Sequence, residues 1–409
     1  TAFGGPYFSN VLVGDGGLDL FGANIGKTTA WGLAISISMI CVTLTAPITG
    51  AVADRSGKKR PLLLAYVILG VIATAALGLV PPGAGLTAFL LYIVANFAFE
   101  GAYVFYNAFL PELAPPEQLG RLSGYGWALG YIGGLLALVV CLPLVPSEYT
   151  AAERGAASNI YYVVAVWYAV FSIPAFVFLR DKGGGDRPEE GYVLASIRQL
   201  IGTLKAIKTF RYVVIFLIAY FLYNDAITTV IEFVGVFTKE VLQFTPGDNI
   251  VLFLVLNVIA APGAMLFGFL LDRIGGKRAL MITLVLWVFV VIGAALTQTK
   301  GAFWGVAALA AVVIGATQSS SRALMARLAP RKRVGEFMGF LALSGKASAV
   351  LGPAIYGIVA ENAAPEDDPG MGHRIAIVVI GSFFLIALGV LSRLNERAGM
   401  ERAREEDER

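Results

Sequence analysis

Residues 113–120 read LAPPEQLG, and residues 328–335 read LAPRKRVG. The match runs past the loop: Gly120, Gly124 and Gly130 are answered by Gly335, Gly339 and Gly345. A second pair lies upstream of each copy. Residues 50–60 read GAVADRSGKKR and residues 268–278 read GFLLDRIGGKR, with Gly, Asp, Arg, Gly, Lys and Arg in the same order and spacing. Two unrelated loops that recur at nearly one offset mark a duplicated chain. Each copy lies between long apolar runs, so each half reads as a bundle of membrane helices.

Composition agrees. Hydrophobic residues make up 57% of the chain and charged residues 14%, where a soluble domain carries about 25% charge. Cys41 and Cys141 both fall inside apolar runs and read as small core residues. One histidine excludes a histidine-rich metal cluster. The N-terminal stretch TAFGGPYFSNVLV is shorter than the roughly 20 apolar residues a span needs. It reads as the outer end of a first helix that starts before residue 1.

Apolar runs predict helices over 29–53, 61–80, 86–110, 119–145 and 158–179 in the first half. In the second they predict 210–237, 249–271, 279–296, 302–328, 334–360 and 374–394. Residues 14–28 read as a loop. The stretch 180–209 opens with DKGGGDRPEE and reads as a linker, with its later part lying along the membrane surface. Residues 396–409 are highly charged and read as a disordered tail or a frayed helix. Most Lys and Arg fall on the side of the two DR loops, the linker and the tail, which places that side and both termini in the cytoplasm. A bacterial inner membrane is expected. The expected fold is all-α: twelve transmembrane helices as two six-helix bundles, the first helix cut at residue 1. The bundles span 1–179 and 210–395, the linker 180–209 and the tail 396–409. Parallel repeats joined by a cytoplasmic linker are the arrangement of a major facilitator transporter.

Several stretches sharpen this. GAVADRSGKKR resembles the superfamily signature between its second and third helices. YNAFLPELA, RLSGYGWALGYIGG, QSSSRALMARLAP and GEFMGFLALSGKASAVLGP resemble the autophagy-linked vacuolar effluxers and their bacterial relatives. One departure is Ala226 after Tyr223, Asn224 and Asp225, where that family carries Gly. The resemblance implies amino-acid efflux for the fungal members and leaves the substrate of the bacterial ones open.

Charged groups at bilayer depth cost about 2.5–3.5 kcal/mol on insertion scales and so are functional candidates. Here they are Glu100, Asp225, Glu232, Arg322 and Lys346. Asp225 and Glu232 share a helix face. Acids and bases together suit a zwitterion. Asp225 is expected to carry a coupled proton, with Glu100 as second choice and Glu232 on its face. Asn96 and Asn107 flank Glu100; Tyr223 and Asn224 flank Asp225; Gln318 precedes Arg322. With Glu100 and Lys346, these are the candidate solute-binding residues. The plainer alternative is a fixed buried ion pair for the charges and interhelical hydrogen bonding for the amides.

The DR loops are candidate gates. Asp54 and Asp272 can each accept hydrogen bonds from a helix N-terminus. Arg55, Lys59, Arg60 and Arg273 lie beside them. Glu112 is matched in the repeat by Arg327, and Arg121 by Glu336, so the signs are exchanged between halves. A charge latch is therefore expected. The alternative is that the positive residues only fix topology.

The function expected is secondary active transport of a small polar or zwitterionic solute by alternating access, in the efflux direction and proton-coupled. The alternatives are an exporter of amphipathic drugs or organic ions, and a solute sensor without turnover. No Ser-His pattern, metal site or phosphate loop points to an enzyme, and no cofactor is expected. The expected partners are the solute and the lipid bilayer, with no nucleic acid and a monomeric state.

Overall fold

The computed structural model describes residues 8–13, 16–20, 23–25, 27–144, 154–181, 191–205, 210–244, 246–348, 351–363, 365 and 369–408. Of the stretch 1–13, read as the outer end of a first helix, residues 1–7 lie outside these. A π-helical turn, Phe8–Val13, comes first. Residues 18–25, expected as loop, hold a short antiparallel pair, β1 (Leu18–Leu20) and β2 (Ala23–Ile25), with Leu18 opposite Ile25.

The long helices follow: α1 (Lys27–Ser56), α2 (Lys59–Leu79), α3 (Gly85–Ala108), the single turn α4 (Leu110–Leu113), α5 (Leu119–Cys141) and α6 (Arg154–Phe178). The linker carries α7 (Tyr192–Lys205). The second half gives α8 (Arg211–Leu242), α9 (Pro246–Ile274), α10 (Gly276–Leu296) and α11 (Lys300–Leu328). It continues with α12 (Val334–Ser348), α13 (Leu351–Asn362), α14 (Pro369–Ser392) and α15 (Glu396–Glu408). Among the described residues, eleven helical stretches are long and apolar enough to cross a membrane. Their outward faces stay apolar, as on Leu44, Ile72 and Phe178. That is the pattern for helices whose solvent is lipid.

Two compact units form. The first takes in 1–109 and 136–197, the second 110–135 and 198–409. In the first, α2 packs on α3 and α6, and Trp31 lies between Phe8 and Tyr92, with ring centroids 5.2 and 4.3 Å away. In the second, α9 packs on α11, and α14 packs on α8 and α10. The start of α5 belongs to the second unit because it is nearly in backbone contact with α9. A Cβ on Gly120 would lie 2.4 Å from the Gly268 carbonyl, and one on Gly124 would lie 2.6 Å from that of Ala264.

The duplication is visible in local geometry. Gly57 and Gly275, the matching glycines of the DR loops, both take positive φ (62° and 91°), where a side chain would be strained. Each half also ends in a carboxylate that caps the helix after its DR loop. Asp181 accepts from the Arg60 N–H at 2.9 Å, and Glu396 accepts from the Gly276 and Lys277 N–H groups at 2.9 and 2.8 Å. The first amides of a helix have no partner within it, and a carboxylate satisfies both their hydrogen bonds and their dipole.

The tail, expected as a disordered segment or a frayed helix, forms α15. Asn395 caps α15 through the Ala398 N–H at 3.2 Å, and Gly399 and Ala403 are buried. Asp407 accepts from the Arg331 and Lys332 N–H groups, and Glu406 pairs with Arg333 at 3.2 Å. High charge alone suggested disorder; these acids are spent on backbone amides and arginines of the second unit.

Candidate functional site

In the second unit, α8 carries Tyr223, Asn224 and Asp225, and all three are buried. The Tyr223 hydroxyl lies 2.7 Å from Ser321 Oγ on α11. Asn224 donates to the Gly345 carbonyl at 3.1 Å and to Ser348 Oγ at 2.9 Å on α12. Asp225 is 1% exposed. Its Oδ1 accepts from the Gly352 N–H of α13 at 3.0 Å, while Oδ2 has no hydrogen-bond partner among the described residues. Thr229, one turn on, donates to the Asp225 carbonyl at 2.8 Å. Gly352 is required for this approach: a Cβ there would fall 2.0 Å from Thr229 Oγ1 and 3.0 Å from Asp225 Oδ1. The close packing of α13 against α8 thus holds the carboxylate on a main-chain donor.

Arg322 is also buried. It donates through Nε to Ser123 Oγ (3.0 Å) and through Nη2 to the Ser123 carbonyl (2.8 Å) on α5, and its guanidinium lies 5.8 Å from the Trp127 ring centre. Ser123 in turn donates to the Ser319 carbonyl at 2.8 Å. Lys346 is half-buried on α12, beside the Gly345 carbonyl that receives Asn224. Gln318 is half-buried and makes no hydrogen bond among the described residues, and Glu232 is exposed on α8.

In the first unit, Asn96, Glu100 and Asn107 are half-buried along α3, and Asn96 donates to Ser38 Oγ on α1 at 2.6 Å. Asp54 pairs with Lys59 across its DR loop at 3.1 Å. Arg55 is half-buried beside it, and the Arg60 guanidinium donates to the Phe176 carbonyl.

The second DR loop is more elaborate. Asp272 Oδ1 accepts from the Gly120 N–H and Oδ2 from the Arg121 N–H, both at 2.8 Å, so this acid caps the first turn of α5. Two arginines converge on it: Arg327 at 2.9 Å and Arg121 at 3.4 Å. Arg327 also reaches Glu396 at 3.3 Å. Glu336, fully buried, pairs with Arg333 at 2.8 Å and accepts from Gln199 of α7 at 2.6 Å. Arg273 is exposed and Glu112 half-buried.

Sequence reasoning passed over Ser123, Gly352, Thr229, Gln199 and Glu396. Ser and Thr in apolar helices carry little signal alone, and neither does a single glycine such as Gly352. For Glu396 a signal existed: Asn395 followed by Glu396 after the last apolar run is a helix-start pattern.

Comparison with known proteins accords with this architecture. The chain matches the family model described as "Vacuole effluxer Atg22 like" over residues 13–404. It is 30% identical to an uncharacterized MFS-type transporter, YxiO, of Bacillus subtilis, over 83% of this chain and 80% of that one. It is 22% identical to autophagy-related protein 22 of Coccidioides immitis, over 87% and 71%. Among solved structures, the proton:xylose symporter XylE of the major facilitator superfamily superposes with a TM-score of 0.72 at 13% identity, covering 98% of this chain and 96% of that one. The repeated loops, the apolar helices and these matches agree: the chain is a membrane transporter of the major facilitator fold, not an enzyme, and belongs to the Atg22-like vacuole effluxer family.

Proposed function

We propose that this transporter is secondary active and proton-coupled, and that it moves a small polar or zwitterionic, amino-acid-like solute outward by alternating access as a monomer in a bacterial inner membrane. The observation that carries this reading is Asp225: an acid 1% exposed, with one oxygen on a backbone N–H and the other without a partner among the described residues. An ionised group left partly unmatched in the interior is costly, so Asp225 is suited to take up and release a proton as its surroundings change. Tyr223 and Asn224 on α8 and Lys346 on α12 supply donors and a positive charge in the second unit.

Gating follows from Asp272. Its two caps on α5 and its two arginines tie α5 to α9 within the second unit, and Glu396 steadies Arg327. Releasing this set would free α5 from α9. The test is transport by purified protein in liposomes. Asp225→Asn should abolish accumulation driven by a proton gradient and keep solute exchange. A sensor without turnover would give no flux in either variant or parent.

A further inference from the structure

The second unit also holds a half-open apolar cavity of about 280 Å³ that the polar cluster does not account for. Packing gaps in protein interiors rarely exceed the size of a water molecule, and ligand pockets start at about 300 Å³. No charged side chain lines it among the described residues. Among its mostly aliphatic lining stand eight aromatic side chains, some of them held from behind. Trp287 is fully buried, stacks on Phe384 at 5.2 Å and 7°, and donates its indole N–H to Thr317 at 3.1 Å. Phe233 lies against Tyr356 at 4.2 Å, and the Tyr356 hydroxyl is tied to His373 at 3.1 Å.

One wall differs. The Trp127 ring carries the Arg322 guanidinium at 5.8 Å, and its indole N–H is buried with no hydrogen-bond partner among the described residues. A buried donor left unmatched is costly. Two further polar groups reach the cavity. The Gln318 amide is uncommitted among the described residues, and Asn257 spends its N–H on the Phe253 carbonyl.

We infer that this cavity binds an uncharged one- or two-ring aromatic group carrying one hydrogen-bond acceptor, and that the Trp127 N–H reads the acceptor. Fixed flat walls favour stacked or edge-on rings. The absence of lining charge disfavours an ion, which would enter without a partner. The volume admits a naphthalene-sized group. This goes beyond the transport reading and does not depend on it, because binding is measured without a gradient.

The experiment is equilibrium binding to the full chain in detergent, with 2-naphthol, naphthalene and 2-naphthoate as probes. The expected result is saturable binding of 2-naphthol and naphthalene, with 2-naphthoate at least tenfold weaker. Trp127→Phe keeps a ring and removes the N–H, so it should weaken 2-naphthol about five- to tenfold and leave naphthalene within twofold. Ala310→Phe places a ring in the cavity and should abolish binding of both. If Ala310→Phe does not fold, Gln318→Leu serves in its place, narrowing the 2-naphthol preference over naphthalene. Absence of saturable binding, equal affinity for 2-naphthoate, or no change in Trp127→Phe would each overturn the inference. Any of these would leave the Asp225 flux test untouched.

Discussion

One carboxylate oxygen of Asp225 rests on the backbone N–H of Gly352, 3.0 Å away, and a side chain at 352 would occupy the space that makes this possible. A Cβ there would also meet Thr229. Gly352→Ala should therefore destabilise the protein by about 1–3 kcal/mol through overpacking, read as a lower Tm of the purified chain. Thr229→Ala in the same chain should recover part of the loss. An unchanged Tm in Gly352→Ala would mean that α8 and α13 are not in this contact.

Asp272 holds two amides of α5 and two arginines. Asp272→Ala leaves Arg327, itself largely buried, short of a partner, and should cost about 3 kcal/mol. It should also loosen the start of α5. A cysteine at Leu119, which is buried beside that first turn, should then react faster with a membrane-impermeant maleimide from the face carrying the loops. Equal labelling in both backgrounds would remove Asp272 from the gate.

The tail helix gives a paired test. Glu396→Ala removes the cap on α10 and the contact with Arg327. Cleavage of α15 by a glutamate-specific protease should speed up several-fold. Arg402→Ala breaks an exposed pair with Glu405, worth about 0–1 kcal/mol, and should leave cleavage unchanged. If both variants digest alike, α15 is not anchored at Glu396.

The membrane fold was legible because lipid demands long apolar helices, and the repeated loops declared the duplication. The second DR loop was legible for the same reason: an Asp at a helix end beside clustered Arg is a sequence-level pattern, and Asp272 does cap a helix start. What escaped was set by tertiary approach. Nothing local in Ser123 announces that it will hold Arg322, and nothing in Gly352 announces Asp225. The tail was left open between disorder and a frayed helix because charge density does not show the amides and arginines that its acids engage. The apolar cavity escaped too, since Trp127, Trp287 and Tyr356 are indistinguishable in sequence from core aromatics.

Asp225 is the proposed carrier of the coupled proton. Its most direct test is solute flux in proteoliposomes, with and without an imposed proton gradient, for the parent chain and Asp225→Asn. The expected result is gradient-driven accumulation in the parent, its loss in Asp225→Asn, and solute exchange at least partly retained. Accumulation that survives unchanged in Asp225→Asn would contradict the account and move the search to Glu100→Gln. If that variant also accumulates solute, proton coupling through these acids is gone.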